Sequence, residues 1–196
     1  MDTCLPLSPS TEFAYLIGVI AGDGCITRAG RGYKLEISCD AAYPELITIF
    51  QKLVNEVTGL RTSVLKVRGK QCFRIVANST RLPDLLGLPA GAKVTSGFTI
   101  PEWIFHDVVY VRAFVRGLIE TDGTVARVYR HGGWYWHIHF SASNPNIMTS
   151  FLRAVGILGY SFKVTGTKAY LANTEQSKTM VTELGIAKYK EYVYQL

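Results

Sequence analysis

The segment 16-LIGVIAGDG-24 decides the fold, because an altered copy, 115-VRGLIETDG-123, stands about 100 residues later. Each copy is an apolar run that predicts a helix, and each ends in Asp-Gly. Small residues at a spacing of four allow two helix backbones to approach closely. The residues at that spacing are Gly18 and Gly22 in the first copy and Gly117 and Thr121 in the second. We therefore expect the two helices to pack against each other.

The aspartates at the ends of both helices are unexpected. A helix C-terminus carries partial negative charge and disfavours a carboxylate by roughly 0.3–1 kcal/mol. If the helices lie side by side, Asp23 and Asp122 converge, and each raises the pKa of the other. A divalent cation such as Mg²⁺ would resolve both penalties. The alternative is two ordinary Asp-Gly turns, and the matching contexts favour the metal site. The glycine after each aspartate, Gly24 or Gly123, predicts a left-handed residue that ends the helix.

The rest of the chain also occurs twice. Landmarks of one half return in the other about 100 positions later, namely Pro44 and Pro145, Phe50 and Phe151, Gly69 and Gly166, and Gly87 and Gly185. Apolar periodicity and turn residues predict the order helix, two strands, helix, two strands, helix in each half. The predicted fold is therefore α+β, with two pseudo-symmetric αββαββα repeats at residues 1–100 and 101–196 and the motif helices packed at the centre.

Composition describes a globular protein, and its modest basicity is compatible with a polyanionic partner but also fits many soluble proteins. The chain has 196 residues, 48% of them hydrophobic and 18% charged, and a net charge of +6. The apolar stretch Phe13–Gly22 is about half the roughly 20 residues needed to span a bilayer. The N-terminus lacks the features of a signal peptide, and the four cysteines lack metal-site spacing. We expect an intracellular protein of the cytoplasm, nucleoid or an organelle matrix, with reduced thiols and no secretion.

The paired nonapeptides resemble those of the LAGLIDADG homing endonucleases in their single-chain form with two motifs. The matching residues are Leu16, Gly18, Ile20, Asp23 and Gly24 in the first copy, and Gly117, Leu118, Ile119, Asp122 and Gly123 in the second. Ala21 and Glu120 stand where the family has its first Asp, and Arg116 stands where it has Ala. The penultimate Asp, which is the metal ligand of the family, is present in both copies.

The resemblance implies a monomeric, site-specific endonuclease that hydrolyses both strands of double-stranded DNA with Mg²⁺ or Mn²⁺, while Ca²⁺ binds without supporting efficient cleavage. Asp23 and Asp122 would hold the metal, together with the backbone carbonyls of Gly22 and Thr121. A basic residue is expected near the scissile phosphate. Lys93 fits that place in the first repeat, and both Lys188 and Lys190 fit it in the second. Asp40 and Ser143 are expected near the water molecules around the metal.

The resemblance also implies that the antiparallel sheets form a saddle on the DNA. Alternation places polar side chains on one face of each strand, and cations occupy the turns. Arg and Lys read guanine or contact phosphate. The candidate DNA-binding residues are Arg28, Arg31, Lys34, Glu36, Ser38, Arg68, Lys70, Arg74, Arg127, Arg130, His131, Tyr135, His137, His139, Ser141, Lys163, Lys168 and Tyr170. The alternative is that these side chains simply face water. For the pair His137 and His139, strand alternation is favoured over a metal site.

Three other functions fit parts of the sequence. An RNA-splicing maturase would use the same fold to bind structured intron RNA, and no residue excludes it. A non-catalytic DNA-binding regulator typically loses the motif acids, whereas both are present here. An intein would need splicing residues at its ends, and residue 1 is neither Cys nor Ser. An unrelated α+β binding protein is the remaining alternative.

Overall fold

The computed structural model describes residues 7–130 and 132–189, and its elements follow the predicted order twice. The elements of the first repeat are α1 (Thr11–Asp23), β1 (Gly24–Ala29), β2 (Gly32–Asp40), α2 (Pro44–Thr58), β3 (Thr62–Lys66), β4 (Cys72–Ser79) and α3 (Leu82–Leu86). A 3₁₀ helix, Glu102–His106, leads into the second repeat. Its elements are α4 (Val108–Thr121), β5 (Gly123–Arg130), β6 (Gly133–Ser141), α5 (Pro145–Ile157), β7 (Lys163–Thr165), β8 (Lys168–Leu171), α6 (Thr174–Leu184) and a 3₁₀ helix, Ala187–Tyr189. The predicted fold class is confirmed.

Two predicted helix boundaries were wrong. The sequence predicts that α3 begins near Ser79, but Ser79 still pairs with Tyr33 of β2, so β4 continues and the helix starts at Leu82. The sequence predicts that α6 begins at Lys178, but the helix begins at Thr174. The side chain of Asn173 accepts a hydrogen bond from the Gln176 backbone N–H and caps this end. Strand pairing and capping set these boundaries.

The two repeats build the same sheet. The strand order is β1-β2-β4-β3 in the first and β5-β6-β8-β7 in the second, and every neighbouring pair is antiparallel. Burial alternates along β2, where Leu35 and Ile37 are buried and their neighbours are partly exposed. Ile138 and Phe140 repeat this pattern in β6. Each sheet therefore has one apolar face in the core and one polar face.

Helices α1 and α4 pack backbone to backbone at the centre. A Cβ added to Gly117 would lie 2.6 Å from the Tyr15 carbonyl oxygen and 2.8 Å from the Val19 nitrogen. A Cβ on Gly18 would collide with the Phe114 carbonyl oxygen, and one on Gly22 would collide with the Thr121 side chain. The predicted close approach is confirmed, and it brings the C-terminal ends of both helices together. None of the described helices is long and apolar enough to cross a membrane.

The glycine that follows each aspartate has a different role from the predicted one. Gly24 has φ −86° and ψ 154°, which is extended backbone, and Gly123 also lacks a positive φ. An added Cβ would lie 2.5 Å from the Ile20 Cα at Gly24 and 2.5 Å from the Ile119 Cα at Gly123. The chain turns from helix into strand so tightly that it crosses its own last helical turn. Glycine is therefore required by the close approach and not by a left-handed conformation.

We predict that Gly117→Ala lowers the free energy of unfolding by about 1–3 kcal/mol, because the added methyl group has only backbone atoms to displace. Urea unfolding followed by circular dichroism measures the change. The matched control is Gly156→Ala in α5, where an added Cβ meets no atom within 4 Å. That variant should match the wild type or be slightly more stable. Equal stability of Gly117→Ala and the wild type would contradict the packing described for α1 and α4.

Candidate active site and polar sheet faces

The carboxylates of Asp23 and Asp122 lie where α1 and α4 end, and both side chains retain contact with solvent. Surrounding protein removes part of the hydration of Asp23, and this loss, together with the negative charge of Asp122, raises the pKa of Asp23 to about 6. Loss of hydration also raises the pKa of Asp122. Lys93 and Lys188 act in the opposite direction on both groups. The structure thus brings together the two aspartates that the sequence singled out.

Lys93 reaches this site from the loop after α3. Its ammonium group donates hydrogen bonds to the carbonyl oxygens of Ala21, at 2.7 Å, and of Gly22. Both carbonyls belong to the last turn of α1, where helical partners are missing. Burial lowers the pKa of Lys93, while Asp122 and then Asp23 favour its charged form. Lys93 therefore caps the C-terminal end of α1 beside the aspartates. One of its hydrogen bonds uses the Gly22 carbonyl oxygen, which the family resemblance predicts as a metal ligand.

Lys188 approaches the same site from the opposite repeat. It lies in the 3₁₀ helix after α6 and lines a cavity of about 190 Å³ together with Asp23 and Asp40. Its ammonium nitrogen lies 5.0 Å from the centre of the Tyr43 ring. Burial lowers the pKa of Lys188, whereas Asp23, Asp40 and Asp122 oppose this shift. Lys190, the other candidate, lies outside the described residues.

Glu120 holds the segment that carries Lys188. Its side chain is buried, and it accepts hydrogen bonds from the Tyr15 hydroxyl, from Arg116 Nε at 3.2 Å and from the Ala187 backbone N–H at 2.6 Å. The Arg116 guanidinium also covers the Tyr15 ring at 4.7 Å. Three donors satisfy this buried carboxylate, as a buried charge requires. Glu120 and Arg116, two of the residues at which the second copy departs from the family motif, therefore form a structural network next to the site.

The oxygen donors at the centre suit a hard divalent cation such as Mg²⁺, but they are few. Within residues 7–130 and 132–189, no group of three or more His, Cys, Asp or Glu side chains could hold a metal ion. Asp23 and Asp122 supply two carboxylates, and the helix ends supply carbonyl groups. Mg²⁺ in proteins is commonly held by one or two carboxylates together with substrate phosphates. The two carboxylates and the helix-end carbonyls therefore fit a Mg²⁺ ion when phosphate oxygens provide the remaining ligands.

The polar face of the first sheet carries four of the predicted DNA-binding residues. Glu36 lies between two cations, with its carboxylate 2.9 Å from the Lys34 ammonium nitrogen and 3.3 Å from Arg74 Nη1. Ser38 pairs with Arg74 in the register of β2 and β4. Arg31, Arg68 and Lys70 are exposed in the turns of this sheet. The same face also carries Thr27 and Asn78, directly opposite Lys34.

The polar face of the second sheet is richer in aromatic and imidazole groups. The rings of His139 and Tyr170 are stacked with centroids 6.4 Å apart, and His137 lies 6.1 Å from His139. The remaining predicted residues on this face are Tyr135, Ser141, Lys163 and Lys168. Hydroxyl, imidazole and ammonium groups on one sheet face suit contacts to base edges or phosphates.

Two arginines, Arg127 and Arg28, lie on the faces of the sheets that are opposite the polar faces. Arg127 pairs with the buried Trp136 and shares the face of Val125, so its assignment to the polar face was wrong. The two-residue period counted from Val125 gives the observed face. The Arg127 guanidinium lies 4.5 Å from the Trp134 ring centre. Arg28 occupies the equivalent place and pairs with Tyr33.

Four further predicted residues are Arg130, His131, Ser143 and Asp40. Arg130 ends β5, but its side chain is not among those described, and His131 lies outside the described residues. Ser143 is exposed in the loop before α5. Asp40 ends β2, and its carboxylate accepts a hydrogen bond from the Ala42 backbone N–H at 2.9 Å.

Sequence reasoning missed several residues at the site. Thr27 and Asn78 follow from strand alternation and could have been found. Tyr43 and Asn144 precede the prolines that begin α2 and α5, a repeated position that the sequence does show, but nothing in the pattern indicates what they contact. The contacts of Glu120 depend on a segment about 70 residues away in the chain, which no local signal predicts.

Comparison with known proteins identifies the fold. A sequence model described as the WhiA LAGLIDADG-like domain matches residues 12–87. A structure of mesophilic variants of the homing endonuclease I-DmoI is 15% identical, with a TM-score of 0.60, and the match covers 88% of this chain and 89% of that one. The N-terminal LAGLIDADG domain of DUF199/WhiA is 14% identical, with a TM-score of 0.56 and coverage of 93% and 87%. No curated protein matches the sequence.

Full-length DUF199/WhiA from Thermatoga maritima is also similar, at 14% identity and a TM-score of 0.60, with 96% of this chain and 60% of that chain covered. Further matching structures are of I-DmoI in complex with its target DNA in the presence of Mg, or with DNA and Ca or Mn. These matches confirm the resemblance to LAGLIDADG proteins, with the family model covering the first of the two nonapeptides. The chain has the LAGLIDADG fold, which the homing endonuclease I-DmoI and WhiA share.

We predict that Asp23→Asn stabilises the protein in a pH-dependent manner. The folded state binds the Asp23 proton more tightly than the unfolded chain does, because the pKa rises from 3.8 to about 6 on folding. The stabilisation that the protonated Asp23 side chain gives the folded state is fully present below about pH 4. It is lost as the pH rises through about 6. The variant should therefore have a higher Tm than the wild type near pH 7.5, and the difference should shrink toward about pH 4.

Thermal unfolding followed by circular dichroism in EDTA measures this difference across the pH range. The matched control is Asp84→Asn, which removes an exposed carboxylate in the first turn of α3. That variant should show no such growing difference. A Tm difference for Asp23→Asn that is independent of pH would contradict the crowding of the two carboxylates.

Proposed function

We propose that the protein is a site-specific DNA endonuclease of the homing type that hydrolyses both strands of a duplex with a divalent metal. The observation that supports this proposal best is the meeting of four charged side chains at the ends of α1 and α4. Asp23 and Asp122 come from equivalent places in the two repeats, and Lys93 and Lys188 flank them. Two acids and two cations at one pseudo-symmetric centre suit the cleavage of two phosphodiester bonds.

The two polar sheet faces supply a surface for double-stranded DNA. They present Lys34, Arg74, Lys163 and Lys168, and the chain carries a net charge of +6. Cations attract the phosphate backbone without reading sequence, and the hydroxyl and imidazole groups between them can contact base edges. The similar I-DmoI structures contain target DNA, which supports the same class of partner for this chain. We propose that the two faces together form the DNA-binding saddle.

Asp23 and Asp122 are the proposed metal ligands, with the carbonyls of Gly22 and Thr121 and the DNA phosphates completing the donor set. A Mg²⁺ or Mn²⁺ ion held by these residues would supply a nucleophilic water at neutral pH and would stabilise negative charge on the phosphate. Lys93 and Lys188 place positive charge beside the same phosphate. The Gly22 carbonyl oxygen has two lone pairs, and a metal bound there would repel the Lys93 ammonium group that donates to the same oxygen. The I-DmoI structures with Mg, Ca or Mn support divalent ions as cofactors, and we expect Ca²⁺ to allow binding without efficient cleavage.

Both repeats lie in one chain, so a single copy supplies both aspartates and both sheets. We therefore propose a monomer in which residues 1–100 and 101–196 act as two unequal halves of one enzyme. The polar faces of the two sheets differ in composition, with a Lys–Glu–Arg cluster on the first and His and Tyr residues on the second. Different faces suit a target that is only weakly palindromic.

A second candidate is a DNA-binding protein on the same fold that does not cleave. Two observations favour it, namely the match to the WhiA LAGLIDADG-like domain and the capping of the Gly22 carbonyl by Lys93. An internal ammonium group at a helix end satisfies that carbonyl without a metal. The maturase alternative, with structured intron RNA as partner, has no contact in its favour beyond the fold.

We predict that the purified protein selects one long, weakly palindromic sequence from a randomised duplex library and cleaves it only when Mg²⁺ or Mn²⁺ is present. Sequencing of the recovered ends measures cleavage, and parallel incubations with Ca²⁺ or EDTA separate binding from cleavage. Binding of a unique duplex without cleavage in any metal would overturn the nuclease proposal and favour the second candidate. Structured RNA would then be the next ligand to test.

The aspartates are tested on the selected duplex. Asp23→Asn and Asp122→Asn should each abolish double-strand cleavage while the Kd for DNA in Ca²⁺ stays within about tenfold of the wild-type value, which is about 1.4 kcal/mol. The matched control Asp84→Asn should cleave normally. Retained double-strand cleavage in both single variants would refute the assignment of these residues as metal ligands.

A further inference from the structure

In each repeat, the residue before the proline that begins the second helix (α2 or α5) contacts a lysine of the other repeat. Tyr43 precedes Pro44 and Asn144 precedes Pro145, so the two residues occupy the same position in the repeats. Tyr43 lies against Lys188, which follows α6 of the second repeat. Asn144 is bonded to Lys93, which follows α3 of the first repeat. The two contacts are therefore reciprocal, although the residues and their interactions differ.

The contact of Tyr43 acts on the ammonium group of Lys188 directly. The nitrogen lies 5.0 Å from the ring centre, within the range of about 6 Å for a cation–π interaction. Both side chains line the cavity of about 190 Å³ that also contains Asp23 and Asp40. The ring restricts where a long, flexible side chain can place its charge. Tyr43 thus holds the ammonium group of Lys188 within the cavity that Asp23 also lines.

The contact of Asn144 acts on the backbone of Lys93. Its side-chain nitrogen donates to the Lys93 carbonyl oxygen at 2.6 Å, and its side-chain oxygen accepts from the Asn146 N–H at 2.8 Å. The side chain of Asn146 donates to the Phe98 carbonyl oxygen at 3.2 Å. Asn144 is 5% exposed. The N-terminus of α5 therefore fixes the loop that contains Lys93.

We propose that Tyr43 and Asn144 are reciprocal positioning residues, by which each repeat directs the lysine of the other repeat toward the aspartate pair. Each repeat then provides one aspartate, one lysine and the residue that positions the lysine of its partner repeat. The centre is complete only when both repeats are docked. The role of the lysines beside a phosphate rests on the proposed endonuclease function, whereas the positioning itself does not.

Tyr43 gives the sharper test, because its substitution leaves the backbone of Lys188 untouched. Tyr43→Phe retains the ring, whereas Tyr43→Leu retains apolar bulk without it. The first measurement is the NMR signal of the Lys188 Cε methylene group in the protein without DNA, assigned with Lys188→Arg. A cation held over an aromatic ring has its neighbouring protons shifted upfield by the ring current. We expect this shift in the wild type and in Tyr43→Phe, and its loss in Tyr43→Leu.

The second measurement is the single-turnover cleavage rate on the selected duplex, beside the Kd measured in Ca²⁺. Tyr43→Leu should cleave about tenfold more slowly with an unchanged Kd, a loss of the size expected for a partly desolvated cation–π contact. Tyr43→Phe should cleave within about twofold of the wild type for the same reason. Tyr129→Leu is the matched control, because this exposed tyrosine lies on the face of the second sheet opposite the polar face. Its cleavage rate should be unchanged.

The outcomes separate the two proposals. An upfield shift of Lys188 that survives in Tyr43→Leu, or equal losses of rate in Tyr43→Leu and Tyr43→Phe, would overturn the positioning role. Loss of the shift without any slowing of cleavage would also overturn it. Absence of cleavage by the wild type would refute the endonuclease function, and the NMR comparison would still decide whether the Tyr43 ring holds the Lys188 ammonium group.

Discussion

The direct contact between the backbones of α1 and α4 is the constraint on which the rest of the structure depends. At Gly18 and Gly117 there is no room for a methyl group, so the two helices lie as close as their main chains allow. Because the helices end at equivalent places, this contact forces Asp23 and Asp122 into one environment. Each sheet begins directly after its aspartate, so the same contact also fixes where the two polar faces lie relative to the acids.

The protein tolerates an unfavourable charge arrangement at this centre. Two carboxylates with raised pKa values lie at helix ends that disfavour negative charge, and Lys93 and Lys188 offset part of the cost. A fold that needed only stability would replace these acids. Departures from local stability rules are expected where function requires them. The lysines therefore act as counter-charges to the two aspartates.

The doubled nonapeptide was enough to predict the repeats, the central helix pair and the two acids, because these depend on local patterns and on one steric rule. The role of Gly24 was mistaken, since a close approach and a left-handed turn both require glycine and a single sequence does not separate them. The face of Arg127 could have been counted from Val125. The contacts of Glu120, Tyr43 and Asn144 could not be predicted, because each joins segments that are distant in the chain.

The most direct test of this account is the pKa of the Asp23 side chain, measured by carboxyl ¹³C NMR in the metal-free protein and in Asp122→Asn. We expect a pKa of about 6 in the wild type, because hydration is lost and Asp122 lies nearby. Neutralising Asp122 should lower the pKa of Asp23. An ordinary pKa in the wild type that does not change in Asp122→Asn would show that the two carboxylates do not share a site, and would contradict the account.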